Sequence, residues 1–271
     1  MPSYVVTGAS RGLGFEFLRQ LSNDPNNTVI GLVRNKTATE KSVAQELSGR
    51  KNIHIVQADI TDYEALKTAA GETSSITGGS LDYLIANAGL ISQWSAYDGL
   101  YALGKEPKEL DKDLIDCFNV NVIGNIHLFN LFLPLIQKGN AKKVIALGTG
   151  MADDALTVEY DLDIAGPYSI SKAAMNTVVA KYSAEFRKEG ILFLSLSPGF
   201  VQTGQYENAT EEQLRSVQAM GAKFAQYAPD FKGPITPEES IKAMMSVIEG
   251  ASIEKGDGGA FLSHHGNKHW L

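Results

Sequence analysis

Residues 7–14 read Thr7-Gly8-Ala9-Ser10-Arg11-Gly12-Leu13-Gly14. Just before them lies Ser3-Tyr4-Val5-Val6-Thr7, a short β-branched and aromatic run of buried-strand type. Just after, apolar residues recur at helical spacing between Gly12 and Leu21: Leu13, Phe15, Phe17, Leu18 and Leu21. The glycines therefore stand at a strand-to-helix turn. Such a turn aims free backbone N–H groups and the positive end of the helix dipole at one point. Missing Cβ atoms at Gly8, Gly12 and Gly14 admit a pyrophosphate close to the backbone. The spacing is G-x-x-x-G-x-G rather than the commoner G-x-G-x-x-G, and by itself it also reads as a purely steric turn.

The following strand, Asn27 to Val33, ends at Arg34, where a dinucleotide-binding fold places the group that meets the adenosine ribose. An acid there would accept the ribose hydroxyls of NAD. Arg34 instead offers a planar, permanently charged donor fork suited to a 2′-phosphate, and Arg11 in the glycine loop is placed to assist it. The expected cofactor is NADP(H).

Tyr168-Ser169-Ile170-Ser171-Lys172 opens a helical stretch, so the phenol and the amine leave one face a single turn apart. A tyrosine of pKa ~10 is a poor base at neutral pH. Lowering it by about three units needs about 4 kcal/mol, roughly what one cation at ~4 Å supplies at an effective dielectric of ~20. The Tyr168–Lys172 spacing alone is common on helix surfaces. With the glycine loop it reads as an acid/base pair beside a dinucleotide.

These motifs resemble those of the short-chain dehydrogenase/reductase family, over Tyr4 to about Phe261, and most nearly the sniffer-like carbonyl reductases within it. Four more matches occur in the family's order. Asp59-Ile60 is similar to its adenine-contacting pair, and Asn87-Ala88-Gly89 to the element that steadies the sheet beside the cofactor. Asn121 stands where members carry an asparagine that helps hold a water-linked proton path to the lysine. Pro198-Gly199-Phe200-Val201-Gln202-Thr203 resembles the turn that meets the nicotinamide carboxamide, through Pro198, Gly199, Val201 and Thr203. The resemblance thus implies cofactor contacts from Gly8, Ser10, Arg11, Gly12, Leu13, Gly14, Arg34, Asp59, Ile60, Asn87, Ala88 and Gly89, and from Tyr168 and Lys172 as well.

It also implies a reaction: hydride transfer between nicotinamide and a ketone or aldehyde, with Tyr168 giving or taking the proton and Lys172 binding the nicotinamide ribose. The family expects a serine at the end of the fifth strand, and this chain has Thr149. Threonine keeps the hydroxyl but adds a methyl that narrows the pocket and stiffens χ1. Thr157 is the alternative if the strand register differs. Other readings of the chain are an NADP(H)-binding redox sensor acting on a protein partner, and an enzyme that epimerises or dehydrates a sugar nucleotide.

The chain has 271 residues, 44% of them hydrophobic and 20% charged, enough for one large core. Strands and helices alternate along it, which predicts an α/β fold: a single doubly wound parallel sheet of Rossmann type with helices on both faces. Further strands are expected at Ile53–Val56, Leu81–Ala86, Lys143–Leu147, Ile191–Ser195 and 260–262. Capping-box patterns begin at Thr61 and Thr236. The whole of 1–271 reads as one NADP(H)-binding domain, with 204–235 inserted as a substrate lid. A box at Thr210 would start a lid helix that turns Leu214, Val217, Gly221, Phe224 and Tyr227 or Ala228 inward. Tyr206, Met220, Phe224, Tyr227 and Phe231 in that segment suit an apolar or aromatic carbonyl substrate, unless they only anchor the lid.

A net charge of −7 disfavours nucleic acid. The stretch Phe118 to Ile136 carries four asparagines and His127, which argues against a membrane span. The glycine loop begins too early for a signal peptide to precede it, and the cytoplasm is the expected compartment. Cys117 reads as a small buried hydrophobe. The acids of 151–167 face solvent or repel anionic substrates. His264, His265 and His269 read as surface or interface residues, with no metal expected. Long apolar helices over Leu110–Ile136 and Ser169–Lys188 favour a homodimer, with tetramer and monomer open.

Overall fold

The computed structural model describes residues 1–205 and 209–271. It opens with β1 (Ser3–Thr7), α1 (Gly12–Leu21), β2 (Thr28–Val33), α2 (Lys36–Glu46), β3 (Ile53–Gln57), α3 (Tyr63–Thr77) and β4 (Tyr83–Ala86). A short α4 (Leu100–Leu103) precedes α5 (Pro107–Phe118), a π turn (Asn119–Ile123) and α6 (Gly124–Ile136). The second half carries β5 (Lys143–Leu147), α7 (Asp154–Glu159), α8 (Gly166–Phe186), β6 (Leu192–Ser197), α9 (Glu211–Tyr227), α10 (Pro237–Gly250) and β7 (Phe261–Ser263).

The strands form one parallel sheet in the order β3-β2-β1-β4-β5-β6-β7. Period-two alternation sorts their side chains onto two faces. Tyr4, Val6, Val29, Ile145, Leu147 and Leu194 pack with α1 and α10. Val5, Ile30, Leu84, Val144, Ala146 and Phe193 point the other way, against α3, α6 and α8. A sheet covered on both faces leaves its edges and strand ends open, and the order reverses beside β1, between β1 and β4. A crevice opens at that reversal, outside the carboxyl ends of the strands.

Several boundaries differ from expectation, each for a tertiary reason. β4 starts at Tyr83 rather than Leu81, because Leu81 N–H is taken by Leu135 and the Asp82 carboxylate accepts from the Ser3 and Asn140 amides. β6 runs on to Ser197 because β7 pairs Ser197 with Ser263. The expected long helix over 110–136 begins at Pro107 and is interrupted by the π turn, where Asn121 is fully buried. Half of the most apolar window of 107–136 is buried in this fold.

Helix starts show the same mixture. Thr210 and Thr236 both form reciprocal capping boxes. At α3 the cap is Asp62, accepting from Ala65 N–H, while the Thr61 hydroxyl donates to Asp59. On α9 the inward stripe is Met220 and Phe224, and Leu214, expected inside, is exposed. Tyr206, also expected to shape the substrate pocket, lies outside the described residues.

Candidate active site

The crevice is a cleft of about 630 Å³ running from the glycine loop across to α8. Every cofactor-contact residue expected from sequence lines it except Gly199 and Val201; of the catalytic candidates, Thr149 and Asn121 do not line it. Val201 pairs with Ile235 in an isolated parallel bridge, and Gly199 sits over His264, whose Cε1 is 2.7 Å from where a Cβ would stand. His264 is therefore buried rather than on the surface. Burial, with the His265 ring 3.8 Å away between centres, pushes its pKa down to about 4. No group of three metal-ligating side chains occurs among the described residues.

The glycines of the loop divide their work. A Cβ on Gly14 would stand 2.3 Å from the Gly8 carbonyl oxygen, and one on Gly8 would meet Ala88 at 3.0 Å, so these two serve close packing inside the protein. Gly12 differs: its φ is +56°, and nothing but Thr203 at 3.9 Å comes near a Cβ there. Asn87 locks the arrangement by donating from Nδ2 to the Thr7 carbonyl at 2.8 Å, and Ala88 N–H donates to Thr7 Oγ1 at 2.9 Å.

At the adenosine end, Arg34 and Arg11 are exposed on the rim and enter no ion pair among the described residues. Asp59 is partly desolvated, which raises its pKa, but the Thr61 amide and hydroxyl outweigh that, helped by Arg34, and hold the carboxyl below its usual range.

At the other end, α8 starts at Gly166 with Pro167 in its first turn, and this presents Tyr168 and Lys172 on the cleft side. Lys172 Nζ lies 5.9 Å from the centre of the Tyr168 ring and donates to the Leu147 carbonyl at 2.8 Å. Burial, opposed weakly by Cys117, lowers its pKa to about 8. Asn121 is a bracket: its Oδ1 accepts from Leu90 N–H at 2.7 Å, and its Nδ2 donates to the Leu90 carbonyl and to Ser171 Oγ, both at 2.8 Å. Ser171 in turn donates to the Tyr168 carbonyl at 2.6 Å. The π turn is thereby tied to the first turn of α8, which carries Tyr168.

Thr149 caps a 3-10 turn over Gly150–Ala152, its Oγ1 accepting from Met151 N–H at 3.3 Å, so its own proton remains to be donated. Thr157, the alternative, lies within α7 and, like Thr149, does not line the cleft. Sequence reasoning missed Val120, Leu90 and Gln93 as lining residues. Val120 adjoins Asn121 and was within reach of the motif. Gln93 had no local signal, since what brings it to the rim is the Tyr97 hydroxyl donating to its Oε1 and its own Nε2 donating to the Gln205 carbonyl.

The segment expected to be a lid is heavily strapped. Met220, Phe224, Tyr227 and Phe231 pack with Leu156, Leu162 and Trp270 rather than facing the cleft. Lys223 pairs with Asp163 at 3.1 Å and also donates to the Asp161 carbonyl, so the acidic segment is partly neutralised from α9.

The profile of the short chain dehydrogenase family matches residues 3–214. A short chain dehydrogenase of Hypocrea virens, virK, is 64% identical over 271 residues, covering all of both chains. The short-chain dehydrogenase/reductase iacC of Pestalotiopsis fici is 49% identical, again over the full length of both. Among solved structures, an NADPH-bound carbonyl reductase from chicken fatty liver has the same fold, with a TM-score of 0.78 at 24% identity and 98% of each chain covered. The carbonyl reductase Sniffer of D. melanogaster follows at 0.76 and 21%, also covering 98% of each. On the strength of the family profile and these full-length relatives, this chain belongs to the short-chain dehydrogenase/reductase family and is an oxidoreductase.

Proposed function

We propose that the protein is an NADP(H)-dependent carbonyl reductase, acting on a ketone or aldehyde or running the reverse oxidation. The observation that carries this is the buried Lys172 ammonium beside Tyr168 in the same cleft as the glycine loop. The residues present suit a nicotinamide dinucleotide: Gly12 leaves an open cradle at the helix start, and Arg11 and Arg34, in no ion pair among the described residues, stand at the rim for a 2′-phosphate. The solved carbonyl reductase of the same fold that binds NADPH supports the choice of cofactor.

A bound nicotinamide supplies or accepts the hydride. The chain does the rest. In reduction Tyr168 Oη delivers its proton to the substrate oxygen, and the Thr149 hydroxyl donates a hydrogen bond to that oxygen as charge develops on it. Lys172 stabilises the resulting phenolate and offers donors to the nicotinamide ribose. Asn121 and Ser171 keep the turn that carries Tyr168 in place. With Phe224, Tyr227 and Phe231 engaged in their own cluster, substrate choice falls to the cleft rim around Ile91 and Gln93 as well as to 204–235.

We further propose a homodimer. Ile115, Phe118, Ile123 and Ile170 are exposed on α5, the π turn and α8, an apolar set that a second copy would cover.

The test is NADPH oxidation followed by absorbance across a panel of ketones, quinones and aldehydes, in wild type and Tyr168→Phe. Turnover that disappears in the variant supports the reading. NADPH binding with no oxidation of any substrate would support the redox sensor instead.

A further inference from the structure

We propose that Trp270 is a positioning residue for Thr149, and that the aromatic stack it forms sets where the substrate oxygen is held. This rests on the hydride-transfer reading above. Thr149 is flanked by two glycines, Gly148 and Gly150. The two glycines bring backbone freedom, which the Gly148 N–H bond to the Leu196 carbonyl at 2.9 Å and the turn capped by Thr149 reduce. Two rings add a further constraint. A Cβ on Gly148 would stand 2.9 Å from Ser195 Oγ and 3.0 Å from Phe261 Cε2, and one on Gly150 would stand 2.7 Å from the Trp270 Cβ and 2.9 Å from its ring at Cγ. The two rings are themselves stacked, 4.3 Å between centres and 24° between planes. Each glycine is thus the space into which one member of the stack fits, and the threonine between them has its backbone held from both sides.

Trp270 is fixed in its turn. It is 3% exposed; its Nε1–H donates to Asp153 Oδ2 at 3.1 Å, and its backbone N–H donates to the Tyr227 hydroxyl at 3.0 Å. The other oxygen of Asp153 accepts from the Ala155 and Leu156 amides and caps α7. Trp270 therefore joins the turn after β5, the last strand and α9. None of Gly150, Asp153, Tyr227 or Phe261 lines the cofactor cleft. A defect introduced at Trp270 should leave nucleotide binding intact and move only the hydroxyl donor.

The experiment uses the full chain carrying Trp270→Ala, Trp270→Phe, Gly150→Ala or Tyr168→Phe, with kcat and KM for one good ketone and Kd for NADPH by fluorescence. Trp270→Ala keeps the Cβ nearest Gly150 but removes the ring atoms behind it and the stack on Phe261, and Gly150→Ala pushes a methyl into Trp270. Both are expected to lower kcat by about ten-fold or more, since a displaced catalytic donor costs about that much, with NADPH Kd held within about two-fold. Trp270→Phe keeps a ring beside Phe261 and loses the bond to Asp153, so it should recover most of kcat, and a thermal melt of each variant checks that it is folded. The proposal falls if kcat in folded Trp270→Ala and Gly150→Ala stays near wild type, if NADPH affinity drops in step with kcat, or if Trp270→Phe is no better than Trp270→Ala. Wild-type turnover in Tyr168→Phe would instead remove the parent reading, whatever the tryptophan variants do.

Discussion

Lys172 donates from a buried Nζ to the backbone carbonyl of Leu147, the last residue of β5, at 2.8 Å. A fold that buries an ammonium group with one carbonyl acceptor places it where a small change of surroundings alters its protonation, and its pKa falls to about 8.

That shift has a sign in stability. Between about pH 8 and the ordinary lysine value near 10.5, the unfolded chain holds a proton that the folded chain has released. Stability from this group therefore rises with pH through that window and is lowest below it. Lys172→Met is expected to unfold at a higher urea midpoint than wild type at pH 7, by an amount on the order of 3 kcal/mol, with the gap closing toward pH 10. In activity the same group works the other way, and carbonyl reduction by wild type should decline as pH rises above about 8. Urea titrations and a pH–rate profile check both.

Arg34→Ala should raise KM for NADPH by roughly ten- to a hundred-fold, the equivalent of a lost charge-assisted hydrogen bond pair, and leave KM for NADH within about two-fold. Equal losses for the two cofactors would show that Arg34 does not meet a 2′-phosphate.

Gly14→Ala and Gly12→Ala should separate packing from cofactor binding. The first drives a methyl to 2.3 Å from the Gly8 oxygen and should cost roughly 1–3 kcal/mol or more by overpacking, seen as a lower Tm without ligand. The second meets no close atom but forces alanine to a φ of +56°, a strain of about 1–2 kcal/mol. Its larger effect should be on NADPH affinity.

Cys117 is buried, and desolvation, with Asp113 beside it, pushes its thiol up to about 11. Iodoacetamide at pH 8 should leave the native protein unmodified and add one adduct in urea, read by intact mass.

Phe118→Glu and Ile115→Glu, placed on the exposed apolar face of α5, should halve the mass measured by light scattering if that face joins two copies.

Features that live within a few residues were legible in the chain. The glycine loop, the buried strand Ser3–Thr7 before it, the Thr210 and Thr236 caps and the one-turn spacing of Tyr168 and Lys172 follow from local stereochemistry, and the structure has each of them. The parallel direction of the strands followed too, because helices between successive strands serve as crossovers, while their order came from the tertiary structure.

What the tertiary structure decided depends on partners far away in the chain. That a Cβ is barred at Gly8 and Gly14 but has room at Gly12 is set by Ala88, Asn87 and the Gly8 carbonyl. The π turn at Asn121 is bracketed by Leu90 and Ser171, and His264 is buried by the turn at Gly199. Thr149 is held by the Phe261–Trp270 stack from the far end of the chain. Periodicity records which side of an element is apolar, but which surface meets it, and which atom is thereby desolvated or pinned, is settled only when distant segments compete for the same space.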